Sequence, residues 1–281
     1  MKNTLKVVWA AWLLAAFSAS TSLYAGGEYI FSAPPRGPVA EETKVYKPIA
    51  DYLTKVLGNK VSYKHPGNWL TYQAEMQAGV YDIVFDGPHF VSWRMAKTQH
   101  EPLVKLPGKL AFSIVVKKDE QRVAHVTQLR GRTVCGLAPP NLATLTTYSI
   151  FNNPARQPLV VESKSFPDAY QSVISGHCIA AVMRDKMFYR LQKKNDNQLK
   201  ELFHSKGIAN QAFSAGPRIS VSEKVKIVKA LLSDEAKDKM QAFNKRFNKK
   251  GKPLERAGRE EYLAHAQLLK DIWGFDLAQA N

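Results

Sequence analysis

A repeated pattern limits the folds open to this chain. The segment YIFSAPPR, Tyr29 to Arg36, is an apolar, strand-forming run that breaks at Ala-Pro-Pro and continues into one polar residue, and VCGLAPPN, Val134 to Asn141, does the same. The likeness carries on downstream. VSYKHPGNWLTYQAEMQAGVYDIVFD, Val61 to Asp86, parallels LVVESKSFPDAYQSVISGHCIAAVMRD, Leu159 to Asp185. Each reads as strand, turn, a short helix carrying Tyr-Gln, a glycine stop at Gly79 or Gly176, and a second apolar strand. A longer helical stretch follows each Ala-Pro-Pro: VAEETKVYKPIADYLTKVLG in the first unit, LATLTTYSIFNN in the second. The order β-α-β-α-β therefore occurs twice. It implies an α/β protein of two lobes, each a mainly parallel sheet flanked by helices, with ligand held beyond the carboxyl ends of the strands.

Those strand ends supply the candidate site residues. In the stretch DIVFDGPHF, the apolar run ends in a carboxylate (Asp86), two chain-bending residues and an imidazole (His89), so both side chains are candidate ligand contacts. Arg184 occupies the place of Asp86 in the second repeat, and Arg36 directly follows the first Ala-Pro-Pro. Trp69 and Tyr72 begin a helix that faces the cleft and are candidate walls. Each residue also has a plainer use: Asp86 and His89 in a turn, Arg184 paired with Asp185, Arg36 in a solvated loop, and the two aromatic rings in the core.

Two segments cross between the units. LAFSIVVKK, Leu110 to Lys118, reads as a strand leaving the first, and QAFSAGPRIS, Gln211 to Ser220, as an extended segment following the second. Together they make a two-stranded hinge suited to a clamp. A helical tail from about Ser222 to Trp273 is expected to return to the first lobe. The divisions expected are a signal peptide over residues 1–25, lobe 1 over 26–116, lobe 2 over 117–211, and the return to lobe 1 over 212–281.

The N-terminus carries an export pattern. Lys2 and Lys6 precede an apolar run from Val7 to Phe17, and small and hydroxyl residues follow as far as SLYA, with cleavage expected after Ala25. The run is shorter than the ~20 residues of a membrane span. Net charge is +16 and falls to +14 (16 − 2) when Lys2 and Lys6 leave, a balance that attracts anions. The densest basic run, NKRFNKKGK from Asn244 to Lys252, reads as a solvated helix face, and without a nucleic-acid reader motif no nucleic-acid partner is expected. Cys135 and Cys178, the two cysteines, lie on neighbouring strands of the second lobe and in an oxidising compartment suit a disulfide, with two buried thiols as the alternative. His177 and Cys178 are sequence neighbours, so on a strand they point to opposite faces and make no nucleophile–base pair. Metalloprotease, hydrolase-elbow, phosphate-loop and CxxC signatures are absent and the seven histidines are scattered, so no catalysis, metal or cofactor is expected.

On YIFSAPP, YQAEMQAGVYDIVFDGPHF, LRGRTVCGLAPPNLATL and AYQSVISGHCIAAVMRD, the chain resembles the solute-binding proteins of phosphate, phosphite and phosphonate ABC transporters, which have the type II periplasmic-binding-protein fold. The likeness spans nearly the whole chain after residue 25. It implies a monomeric periplasmic protein that captures a small anionic or zwitterionic solute and passes it to a membrane permease, or alternatively reports it to a membrane sensor protein. In such proteins consecutive hydroxyl residues at the start of the helix after the second Ala-Pro-Pro hold phosphoryl oxygens. Here Leu142 and Ala143 take that place, leaving Asn141, Thr144, Thr146 and Thr147 as donors. A carboxylate at Asp86 beside an anion requires a cation between them, from an amine-bearing ligand, Arg36 or Arg184. Replacing Asp86 or Arg184 with alanine is expected to weaken binding and leave the fold intact.

Overall fold

Both repeats fold in the order their sequence implies, and the strands that connect them complete each other's sheets. The computed structural model describes residues 27–275 except 152, 264, 271, 273 and 274. The expected signal peptide and the expected helix end at Trp273 lie outside the described residues.

The first repeat comprises β1 (Tyr29–Ser32), α1 (Val39–Leu57), β2 (Val61–Tyr63), α2 (Trp69–Gln77) and β3 (Ile83–Asp86), followed by α3 (Pro88–Lys97) and β4 (Glu101–Lys105). After a short β5 (Lys109–Leu110), β6 (Phe112–Lys117) leads into the second repeat: β7 (Thr133–Gly136), α4 (Leu142–Ser149), β8 (Leu159–Glu162), α5 (Phe166–Ile174) and β9 (Ala180–Arg184). Then come α6 (Asp185–Lys194), β10 (Leu199–His204), β11 (Ile208–Ala209), β12 (Ala212–Ala215), α7 (Val221–Leu231), α8 (Asp234–Lys239), α9 (Gln241–Phe247) and β13 (Glu255–Arg256).

Each repeat forms three parallel strands with its first strand in the middle: β2-β1-β3 in one sheet and β8-β7-β9 in the other. Beside the third strand each sheet takes an antiparallel strand from a crossing segment, β12 against β3 and β6 against β9. The sheets, expected to be mainly parallel, are therefore mixed, with orders β13-β4-β12-β3-β1-β2 and β10-β6-β9-β7-β8. Phe112–Lys117 thus pairs within the second sheet, while β5 and β11 pair antiparallel with each other as a two-stranded ribbon where the chain passes between lobes.

Local signals account for the elements. In α1, Val45, Tyr46, Ile49 and Leu53 recur at helical spacing and bury against the first sheet, and Gly58, at φ 70°, ends the helix. Gly79 and Gly176, at φ 67° and 81°, reverse the chain after α2 and α5, a conformation that costs glycine no Cβ clash. Ser165 caps α5 and Ser220 caps α7, the latter with Glu223 in a reciprocal box. The C-terminal part is not one helical tail. Gly251, at φ 61°, and Pro253 break the pattern, and the chain continues through β13 and two 3-10 turns, Arg259–Glu261 and His265–Leu269. α7 to α9 pack on lobe 1, whereas the last turn touches both α3 and α4 and so bridges the lobes. No helix among the described residues is long and apolar enough to cross a membrane.

Cys135 in β7 and Cys178 just before β9 form a disulfide with Cα atoms 5.8 Å apart. The bond joins positions separated by 43 residues. A loop of that size constrains the unfolded chain by about 4 kcal/mol in the chain-entropy model. We expect the double substitution Cys135→Ala/Cys178→Ala, or a reductant, to lower the melting temperature by roughly 10 °C. Calorimetry with and without dithiothreitol checks this, and an unchanged melting temperature contradicts it.

Candidate functional site

The end of β3 hands Asp86 to the lobe interior rather than to solvent. Its carboxylate is fully buried and accepts a hydrogen bond from Arg94 Nε at 2.7 Å on one oxygen and from the Tyr72 hydroxyl on the other. Arg94 Nη2 in turn donates to the Tyr72 oxygen at 3.0 Å, and the guanidinium lies 5.5 Å from the ring centres of both Tyr72 and Tyr81. Burial opposes the Arg94 charge, but Tyr72 and Asp86 outweigh it and raise the pKa above the ordinary arginine value. Burial, together with the Asp86 charge, pushes the Tyr72 phenol well up. The cation expected beside Asp86 is therefore Arg94, not Arg36, Arg184 or a ligand amine.

The second repeat lacks this arrangement. Tyr170 matches Tyr72, but its hydroxyl donates to Gln192 Oε1 at 2.6 Å, and Gln192 is itself bonded to the backbone of Leu199. Arg184, at the place of Asp86, receives no counter-ion from α6. Its Nε is buried without a partner, and burial lowers its pKa despite the field of Asp185. Asp185 makes no ion pair with it, its Oδ1 accepting from Lys186 N at 2.6 Å. Among the described residues no carboxylate forms an ion pair with Arg184. The sequence offered two uses for Arg184, cleft cation or surface pair, and no such surface pair forms.

The lobes meet at the N-termini of α3 and α4. His89, the second residue of α3, reaches across so that Nε2 lies 3.1 Å from the carbonyl oxygen of Pro140, just before α4. Its ring packs 4.1 Å from Phe90, and Trp69 stacks on Phe90 at 6.1 Å. Leu145 and Tyr148 of α4 join Phe90, Trp93, Leu269 and Phe275 in one apolar cluster spanning both lobes. Arg36 is held by Tyr46 Oη at 3.2 Å and Gln211 Oε1 at 3.0 Å, over the rings of Phe85 and Phe247. Asn141 caps α4 by accepting from Ala143 N, while Thr144, Thr146 and Thr147 donate to the carbonyls of Leu137, Leu142 and Ala143. Arg36, His89, Asn141 and Arg184 thus stand at strand or helix ends, whereas Tyr72 and Asp86 face inward. Arg94 escaped the sequence reading; its signal was a basic residue two turns into the helix that follows a strand-end carboxylate.

Residues 31–262 match the model of a family described as ABC transporter, phosphonate, periplasmic substrate-binding protein. No curated protein matches the sequence. Among solved structures, a Xanthomonas citri protein bound to ATP is similar with a TM-score of 0.69 at 10% identity, over 86% of this chain and 96% of that one. PhnD1 from Prochlorococcus marinus (MIT 9301) in complex with methylphosphonate gives a TM-score of 0.63 at 14% identity, over 87% of this chain and 97% of that one. A binding protein component of an ABC phosphonate transporter from Pseudomonas aeruginosa gives 0.60 at 13% identity, over 86% and 85%. At these identities the likeness is one of fold.

Because Asp86 and Arg94 are paired at zero exposure, we expect Asp86→Ala to cost stability, where the sequence reading expected the fold to be left intact. Removing one partner of a buried pair costs about 3–5 kcal/mol. We expect Asp86→Ala and Arg94→Ala each to lose that much in urea unfolding, and Asp86→Leu/Arg94→Met to lose clearly less than the sum. Additive losses contradict the coupling.

Proposed function

The chain belongs to the family of periplasmic substrate-binding proteins of phosphonate ABC transporters, and from that premise we propose that it captures a small phosphonate- or phosphate-like anion between its lobes and delivers it to an importer's permease. Members of this family bind solutes and are not enzymes. The observation that carries the proposal is Arg184: a half-buried residue whose guanidinium Nε is buried without a partner, at the strand end where ligand is expected, and with no carboxylate in an ion pair with it among the described residues. A desolvated cation of this kind is balanced by an anion from outside the chain. Arg36, pre-positioned by Tyr46 and Gln211, is a second donor on the opposing lobe. Asn141 and the N-terminus of α4 complete a positive end.

The pairing of Asp86 with Arg94 sharpens the ligand class. With Asp86 paired to Arg94, the end of β3 offers no free carboxylate to an ammonium group, which favours a simple anion over an aminoalkylphosphonate at that strand. Solved relatives in fold hold methylphosphonate and ATP, both phosphoryl-bearing. The proposal includes export by the segment 1–25 and a monomeric mature protein.

A thermal-shift series on residues 26–281 tests this with methylphosphonate, phosphate, 2-aminoethylphosphonate, a sulfonate and amino acids. Ligand that binds only the folded protein raises its melting temperature. We expect methylphosphonate or phosphate to give the largest shift, and Arg184→Met to weaken binding roughly tenfold to a hundredfold while leaving the unliganded protein at least as stable. No shift with any phosphorus compound, or undiminished binding by Arg184→Met, overturns the proposal.

A further inference from the structure

The His89–Pro140 bond is a direct polar link from α3 in lobe 1 to the α4 entry loop of lobe 2. A carbonyl oxygen only accepts, so the 3.1 Å contact requires the hydrogen on Nε2 and leaves Nδ1 as the bare nitrogen. Nδ1 is buried and has no partner, and the residue as a whole is 4% exposed. A second proton therefore has to enter at Nδ1, where no acceptor receives it.

We propose that the His89–Pro140 contact is an acid-sensitive latch: the closed arrangement of the lobes requires a neutral His89, and protonation of that imidazole favours the open one. Closing removes the ring from water, while opening breaks the bond and returns both nitrogens to solvent.

The groups facing His89 act in the same direction. Arg36, from the loop after β1, and His265, from the last 3-10 turn, both disfavour a charge on it. Asp86, three residues earlier, is already engaged by Arg94. α2 contributes Trp69 and Tyr72 around Phe90, with the Tyr72 phenol neutral. Only the Pro140 carbonyl favours a proton. Burial dominates and pulls the His89 pKa down to about 3. His265 is depressed as well, by its own burial, and lines a cavity of about 430 Å³ between α4 and the last turn, shared with Thr146, Phe112 and Lys206.

The sign follows from linkage. An open, solvated histidine titrates near ~6.5, above its closed value, so the closed arrangement keeps its full advantage above that pH and loses it as pH falls from about 6.5 toward 3. For one group, the ratio of closed to open falls by up to about tenfold per pH unit across that window. Ligand identity plays no part.

The test uses the ligand-free mature protein, so its outcome is separable from that of the anion proposal. Small-angle scattering from pH 7.5 to 4.5 measures opening through the radius of gyration, with circular dichroism confirming folded protein at each pH. Wild type is expected to expand as pH falls below about 6.5, whereas His89→Gln, which keeps an N–H for Pro140 and does not titrate, stays compact to lower pH. Nitrogen-15 spectra of wild-type imidazoles give a second reading that needs no variant, with His89 expected as the Nε2–H tautomer above pH 6. A radius independent of pH in wild type, identical expansion in His89→Gln, or a His89 ring that titrates near 6.5 in the compact protein each overturns the latch.

Discussion

Asp86 and Arg94 place two full charges inside lobe 1 with no solvent to share the cost, and the surrounding structure is arranged to hold them. β3 brings the carboxylate to the strand end, α3 returns two turns later with the guanidinium, and α2 supplies the Tyr72 hydroxyl that bonds to both. Such a pair stabilises only when its geometry is nearly complete. Its effect is to lock α2, β3 and α3 to one another. The helix whose N-terminus meets lobe 2 is therefore set on a rigid base, and the position of His89 at Pro140 inherits that rigidity.

The two lobes are similar in outline and opposite in electrostatics. One repeat ends its third strand in an acid that is answered from within, the other in a base that is not. In lobe 1 the pair is complete within the chain, whereas in lobe 2 no carboxylate among the described residues forms an ion pair with Arg184. Gln192, neutral where lobe 1 has Arg94, occupies Tyr170 without drawing on Arg184.

Much of the fold was legible because it was written twice. Ala-Pro-Pro at Pro34–Pro35 and Pro139–Pro140, Tyr-Gln in α2 and α5, and the glycine stops gave the order of elements and the faces on which ligand is expected. What the pattern did not carry was direction. Whether an apolar run such as Phe112–Lys117 or Ala212–Ala215 joins its sheet parallel or antiparallel depends on where the chain arrives from, which is a tertiary fact. The site was legible by position but not by chemistry. Asp86 and Arg184 were both seen at strand ends, yet one faces a partner eight residues downstream and the other faces no counter-ion among the described residues, a difference that rests on two exchanges, Arg184 for Asp86 and Gln192 for Arg94. The bridging role of His265–Leu269 left no mark in the sequence either, because its few apolar residues have no periodicity to show which lobe they cover.

The exchange of strands between the lobes bears on how the chain reaches its native state. β12 lies between β3 and β4 in the first sheet, yet it follows the whole second repeat in sequence. A nascent chain therefore carries β3 and β4 as strangers, with the backbone groups between them unmet, until residues 212–215 have been made. The first lobe, begun at Tyr29, is the last to finish. Its sheet closes only with a strand that the chain supplies after the whole second repeat.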